Sequence, residues 1–117
     1  MPVSDGFRSF ALEQLGRVAP NLRSKRMFGG VGVYAGELFF ALIDDDTVYL
    51  KVDDTNRPAF EAREMGPFRP GGPDGEVMQY YELPVDVLED AEELRPWVEG
   101  AIGVAERAKR KPRKGKA

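Results

Sequence analysis

The sequence predicts an α+β fold: a two-layer α/β domain with an antiparallel sheet covered by helices, in the order α-β-β-β-α-β-α. Three observations predict it. Runs rich in β-branched and aromatic residues follow one another between positions 27 and 52 on connections far shorter than the dozen residues a parallel crossover needs. Apolar residues recur at helical spacing near both ends of the chain. The length, 117 residues with 42% hydrophobic and 32% charged, suits one core and the surface to cover it.

Ser4 or Asp5 can cap a first helix, with Phe7, Ala11, Leu15 and Val18 along one stripe, Phe10 broadening it and Pro20 limiting it. Met27 to Tyr34 reads as the first strand, Ala35-Gly36 as a turn and Glu37 to Ile43 as the returning strand. Asp44-Asp45-Asp46 makes the next turn, and Thr47 to Val52 places Val48, Leu50 and Val52 on one face of a third strand. A short helix follows, capped by Thr55 or Asn56, with Pro58 in its first turn, Phe60 as anchor and Gly66-Pro67 as its stop. Pro70 to Gly75 reads as a loop, Val77 to Leu83 as a strand ended by Pro84, and Val85 to Leu88 as a helical turn. Asp90 with Glu93 resembles a capping box opening the last helix, on whose apolar stripe lie Leu94, Trp97, Val98, Ala101, Ile102, Ala105 and Ala108. Gly100 and Gly103 weaken that helix by about 1 kcal/mol each relative to Ala, so either a backbone approaches there or packing holds the helix. The expected core draws on Phe7, Leu15, Phe39, Leu42, Leu50, Phe60, Tyr81, Leu83, Leu94 and Trp97.

Composition narrows the chemistry. The chain has no Cys and no His, which excludes disulfides, a thiolate nucleophile, His-based triads and zinc sites on the usual ligands. With three Ser and two Thr, hydroxyl nucleophiles are scarce. No catalytic, cofactor-binding or metal-binding residues stand out, so no cofactor is expected and the domain reads as non-enzymatic. The longest apolar run, Leu38 to Ile43, is too short to span a membrane, and the start of the chain lacks a basic-then-apolar leader pattern. A cytoplasmic location without membrane association is expected.

Net charge is −3, but its distribution is uneven. Residues 1–108 carry 11 basic and 20 acidic side chains; residues 109–117 carry six basic and none acidic. The chain therefore divides into a folded domain, 1–108, and a basic tail, 109–117, too charged to order itself. Lys109, Arg110, Lys111, Arg113, Lys114 and Lys116 are candidate nucleic-acid contacts, at most weak, salt-sensitive and sequence-blind, while a solubilising tail is the plainer reading.

Gly29-Gly30-Val31-Gly32 is not a phosphate loop: position 35 is Ala and no helix follows, so glycine within a strand here marks a bulge or a close backbone approach. Contiguous Asp44-Asp45-Asp46 spreads its oxygens rather than converging them on a cation, and reads as a solvated turn. Tyr80 and Tyr81 alternate sides of their strand, one inward and one outward. The basic cluster of the body, Arg23, Lys25 and Arg26, directly precedes Met27, Phe28, Gly29 and Gly30. These seven residues are a candidate contact for a partner or an anion; the alternative is a strand edge guarded by charge.

The run Lys25 to Tyr34 (KRMFGGVGVY), followed by Phe39, Ala41-Leu42-Ile43 and Tyr49-Leu50-Lys51, resembles the TfoX/Sxy N-terminal domain family. Tyr80-Tyr81-Glu82-Leu83-Pro84, Val87-Leu88-Glu89-Asp90 and Trp97 continue the match in the same order, and the likeness covers about residues 8–108. The resemblance implies a two-layer domain with an antiparallel sheet, similar to YjbR-like proteins and secretion chaperones, and it supplies no catalytic residues. Full-length members are regulators of natural competence that act with the cyclic-AMP receptor protein at promoters and carry a second, helical domain. The expectation is thus a stand-alone regulatory domain with a protein partner. A sheet edge or the Trp97 face is also compatible with a homodimer.

Overall fold

The computed structural model describes residues 3–27, 29–69 and 79–110. Its order is α1 (Asp5–Val18), β1 (Leu22–Met27), β2 (Gly30–Ala35), β3 (Leu38–Asp44), β4 (Thr47–Lys51), α2 (Arg57–Ala62), β5 (Tyr80–Glu82), α3 (Val85–Leu88) and α4 (Ala91–Arg110). The five strands form one antiparallel meander, β1-β2-β3-β4-β5, so the expected α+β class holds.

The first strand is the main difference from the sequence reading. Residues 22–27 pair along β2 in register Leu22↔Ala35 to Met27↔Gly30, and Gly29 lies in the turn before β2. Four consecutive residues of β1 are exposed, so the strand lacks the apolar alternation by which a half-buried strand is recognised. The next two turns are two-residue hairpin connections. Gly36 (φ 62°) opens the one between β2 and β3, and Asp45 and Asp46 (φ 52° and 54°) make the one between β3 and β4, the conformation that primed turns require.

Helices cover one face of the sheet. α4 lies over β3 and β4, α1 packs along α4, and α3 fills the junction between them. Ser4 caps α1 by accepting from the Phe7 amide at 3.2 Å, and its own amide donates to Asp46 at 2.8 Å, tying the helix start to the β3–β4 turn. Gln14 is buried, and its Nε2 donates to the Leu88 carbonyl at 2.9 Å, which joins α1 to α3. At the start of α4, Asp90 accepts from the Glu92 and Glu93 amides at 3.0 and 3.4 Å, the Asp90 half of the expected capping box, while its own amide donates to the Val87 carbonyl at 3.1 Å. Gly100 meets nothing closer than the Asn56 side chain at 3.8 Å and Gly103 only Arg107 at 3.4 Å, so packing rather than a backbone approach holds this helix.

The core under the helices includes Leu15, Phe40, Ile43, Leu50, Phe60, Leu83, Leu88, Leu94 and Val98. Phe7, Tyr81 and Trp97 pack against it half-buried, with Trp97 edge-on to Phe60 at 4.8 Å. Leu42 is buried as expected but on the other face of the sheet, outside this cluster, and Phe39 is only half-buried. The pairing of β2 with β3 slips between Val33↔Ala41 and Tyr34↔Phe39, leaving Phe40 as the extra residue of a bulge. Phe40 therefore joins Ala41 in the core, and Phe39 stands on the opposite face.

Candidate functional site

Register assigns the side chains of the face away from the helices. Arg23, Lys25 and Met27 of β1 stand beside Tyr34, Gly32 and Gly30 of β2; Phe39 and Leu42 of β3 pair with Tyr34 and Gly32; Tyr49 and Lys51 of β4 pair with Leu42 and, in β5, with Glu82 and Tyr80. The face is aromatic in the middle. Tyr34 stacks on Phe39 at 4.9 Å, Phe39 meets Tyr80 at 5.6 Å, and Phe68 tilts against Tyr49 at 4.8 Å. Tyr81 turns to the other side and meets Phe60 at 6.0 Å, so the two tyrosines alternate as expected, although the outer one, Tyr80, is itself buried.

The glycines of this segment shape the backbone. Gly29 has φ 79°, a left-handed conformation that side chains disfavour. A Cβ on Gly30 would collide with the Ile43 carbonyl oxygen, and one on Gly32 would fall 2.6 Å from Cε of Met27 and 3.1 Å from the Phe39 ring. Met27 lies over Gly32 because no side chain stands there. The expected close backbone approach is found at Gly30 alone; at Gly32 the near neighbours are side chains, and Gly29 has no atom within 4 Å.

Of the seven candidate contact residues, Arg23, Lys25 and Arg26 are exposed on β1, Met27 is half-buried, Gly29 lies in the turn, Gly30 opens β2, and Phe28 lies outside the described residues. Among the described residues, none of the three cations has a carboxylate within ion-pair distance; Arg23 makes one long contact, 3.5 Å, to the Gly36 carbonyl. β1 is also an open edge: no other segment hydrogen-bonds to its outer side among the described residues. The opposite edge is closed. Residues 66–68 run beside β5, with Phe68 N donating to Tyr80 O at 2.7 Å and Glu82 N to Gly66 O at 2.9 Å.

The candidate tail contacts divide. Lys109 lies on α4 and pairs with Glu37 at 2.8 Å; its hydrogen bond and charge lower the Glu37 carboxyl below its ordinary value. The α4 backbone continues to Arg110, and Lys111, Arg113, Lys114 and Lys116 lie outside the described residues, as does the loop expected at Pro70 to Gly75.

Two positions that sequence reasoning did not single out organise this end of the domain. Asp53 accepts from the Thr55 amide (2.9 Å), the Thr55 hydroxyl and Arg107 of α4 (3.0 Å). Burial pushes its carboxyl up, but these hydrogen bonds and the Arg107 charge outweigh it and hold it at about 2. Lys51 is half-buried; its Nζ lies 5.0 Å from the Tyr80 ring centroid and donates to the Tyr80 hydroxyl at 3.4 Å. Burial lowers the Lys51 ammonium and, with the nearby Tyr34, raises the Tyr80 phenol to about 12.

Because the Asp53 carboxyl is depressed from 3.8 to about 2, its contribution to stability is complete above about pH 4 and disappears as pH falls through 2. Asp53→Asn is expected to cost about 1 kcal/mol at pH 7, discounted for a side chain one-third exposed. Urea unfolding at pH 7 and at about pH 2.5 checks this: the variant's loss relative to the wild type should shrink at the lower pH.

Among the described residues no group of three carboxylates could hold a metal ion. Nor is any helix there long and apolar enough to cross a membrane. A search of curated proteins finds no match. The model of one protein family, described as the TfoX N-terminal domain, matches residues 13–105.

Proposed function

From the premise that the chain belongs to the TfoX N-terminal domain family, we propose that it is a non-enzymatic regulatory domain that binds a protein partner through β1. The partner contributes an extended acidic segment, which adds to the sheet as a sixth strand.

One observation carries this reading: among the described residues the sheet has one closed edge and one open edge, and the open edge is the basic one. An unpaired strand offers a row of amides and carbonyls to an incoming chain, and exposed Lys and Arg on it repel self-association while attracting acid. Residues 1–108 are otherwise strongly acidic, so the attraction is local to β1. At physiological salt the Debye length is about 8 Å, and the rest of the domain hardly opposes it. The resemblance to competence regulators supports a regulatory role.

A blocked peptide of about six residues alternating Glu and Val, the length of β1, tests the proposal by fluorescence anisotropy and hydrogen exchange. Binding should protect β1 amides, weaken steeply with salt and fall at least about tenfold in Arg23→Glu/Lys25→Glu/Arg26→Glu. Equal affinity in that variant would refute it. The same titration with duplex DNA decides the alternative of a nucleic-acid accessory protein: salt-steep binding lost when the chain is shortened to Ala108 would move the function to the basic tail.

A further inference from the structure

At the end of the sheet where β3 begins and β4 ends, the last turns of α4 pass over the strands and leave a groove of about 300 Å³. We infer that this groove binds a small organic anion, a carboxylate or phosphate group carried on a compact apolar body. The site is separate from the β1 edge and does not depend on the reading given to it.

Its walls are apolar. Leu38 and Phe39 line it from β3, and Ala105 and Ala108 from α4, where the small side chains leave the space unfilled. Phe39 reaches the groove from the face of the sheet away from α4, where contacts with Tyr34 and Tyr80, at 4.9 and 5.6 Å, fix its ring, so this wall is preorganised.

The polar end is Lys51. Its ammonium is partly withdrawn from water, and among the described residues no carboxylate lies within ion-pair distance of it. The Tyr80 hydroxyl at 3.4 Å occupies one of its three donors and the Tyr80 ring provides a weak cation–π contact. A half-buried cation with donors unused is costly to leave uncompensated, and an oxyanion in the groove supplies the missing partner. Lys109 stands at the rim with Glu37, an exposed pair that an incoming anion can open to gain a second ammonium. Two lysines and four apolar residues along one groove select an anion with an apolar body over a bare inorganic ion.

Titrating the full chain with benzoate, phenyl phosphate and inorganic phosphate, followed by amide chemical shifts, tests the assignment. Saturable shifts at Leu38, Phe39, Ala105 and Lys109 are expected with at least one aromatic anion at a Kd of about 1 mM or below, and at least about tenfold weaker binding of inorganic phosphate. Benzoate against phenyl phosphate distinguishes the two head groups. Lys51→Met should weaken the aromatic anion at least about tenfold, and Ala108→Met, which fills the groove and leaves Lys51 untouched, should do the same. The assignment is overturned if no shift saturates by about 20 mM, if the three anions bind alike, or if a folded Lys51→Met or Ala108→Met protein binds undiminished.

Discussion

Phe40→Ala is expected to lower stability by about 3–5 kcal/mol, the full cost of a large core side chain whose cavity cannot close. Phe40 is completely buried and, with Phe60, is among the largest side chains in the core. It occupies the bulge between two strand pairings, with Val33↔Ala41 on one side and Tyr34↔Phe39 on the other, and that backbone is fixed by hydrogen bonds in both directions. Collapse into the vacated space would break one of those pairings. Against a total of roughly 5–15 kcal/mol for a domain of this size, the variant stands close to unfolding. Phe39→Ala should cost less than half as much, about 1–2 kcal/mol, because Phe39 is half-buried and loses mainly its contacts with Tyr34 and Tyr80. Urea unfolding of both variants measures the difference. The opposite order would mean that the bulge falls at Phe39 and that the aromatic face has been assigned to the wrong ring.

That pair of adjacent phenylalanines marks where the sequence was legible and where it was not. Leu38 to Ile43 is apolar throughout, so a strand is plain but its faces are not, and only the pairing with β2 decides them. Hairpins announced themselves through Gly36 and the aspartate run, because few residues accept positive φ. α1 and α4 were visible from their periodicity and from Ser4 and Asp90. β1 is hidden, because a basic edge strand buries almost nothing and so leaves no apolar alternation, although its cluster of cations is plain. Lys51 and Asp53 are a different matter. Lys51 gains its character from Tyr80, far along the chain; Asp53 owes part of its own to Thr55 two residues on, but its tie to Arg107 is long-range, and no local spacing carries either distant contact.

Gly30→Ala is expected to be the most damaging of the small substitutions, at about 2–4 kcal/mol, although it adds one methyl group. The added Cβ would meet the backbone oxygen of Ile43, with the Asp44 Cβ 3.5 Å away, and a strand cannot rotate aside as a side chain can. Relief requires β2 and β3 to separate where Val31 pairs with Ile43, and β1 hangs on β2 at the same point through Met27↔Gly30. Gly29→Ala gives the comparison: nothing lies within 4 Å, and only the φ of 79° opposes it, so about 1 kcal/mol is expected. Hydrogen exchange of β1 and β2 amides together with urea unfolding separates the two effects, since the clash should loosen the hairpin while the φ cost should lower stability without selecting β1. The comparison also bears on what the Arg26-Met27-Phe28-Gly29-Gly30 segment is for. If it is a backbone device that presents β1 as an open edge, binding of an acidic strand should weaken in Gly30→Ala in proportion to the lost protection of β1. Full protection with lost binding would instead make the glycine pair itself part of the contact.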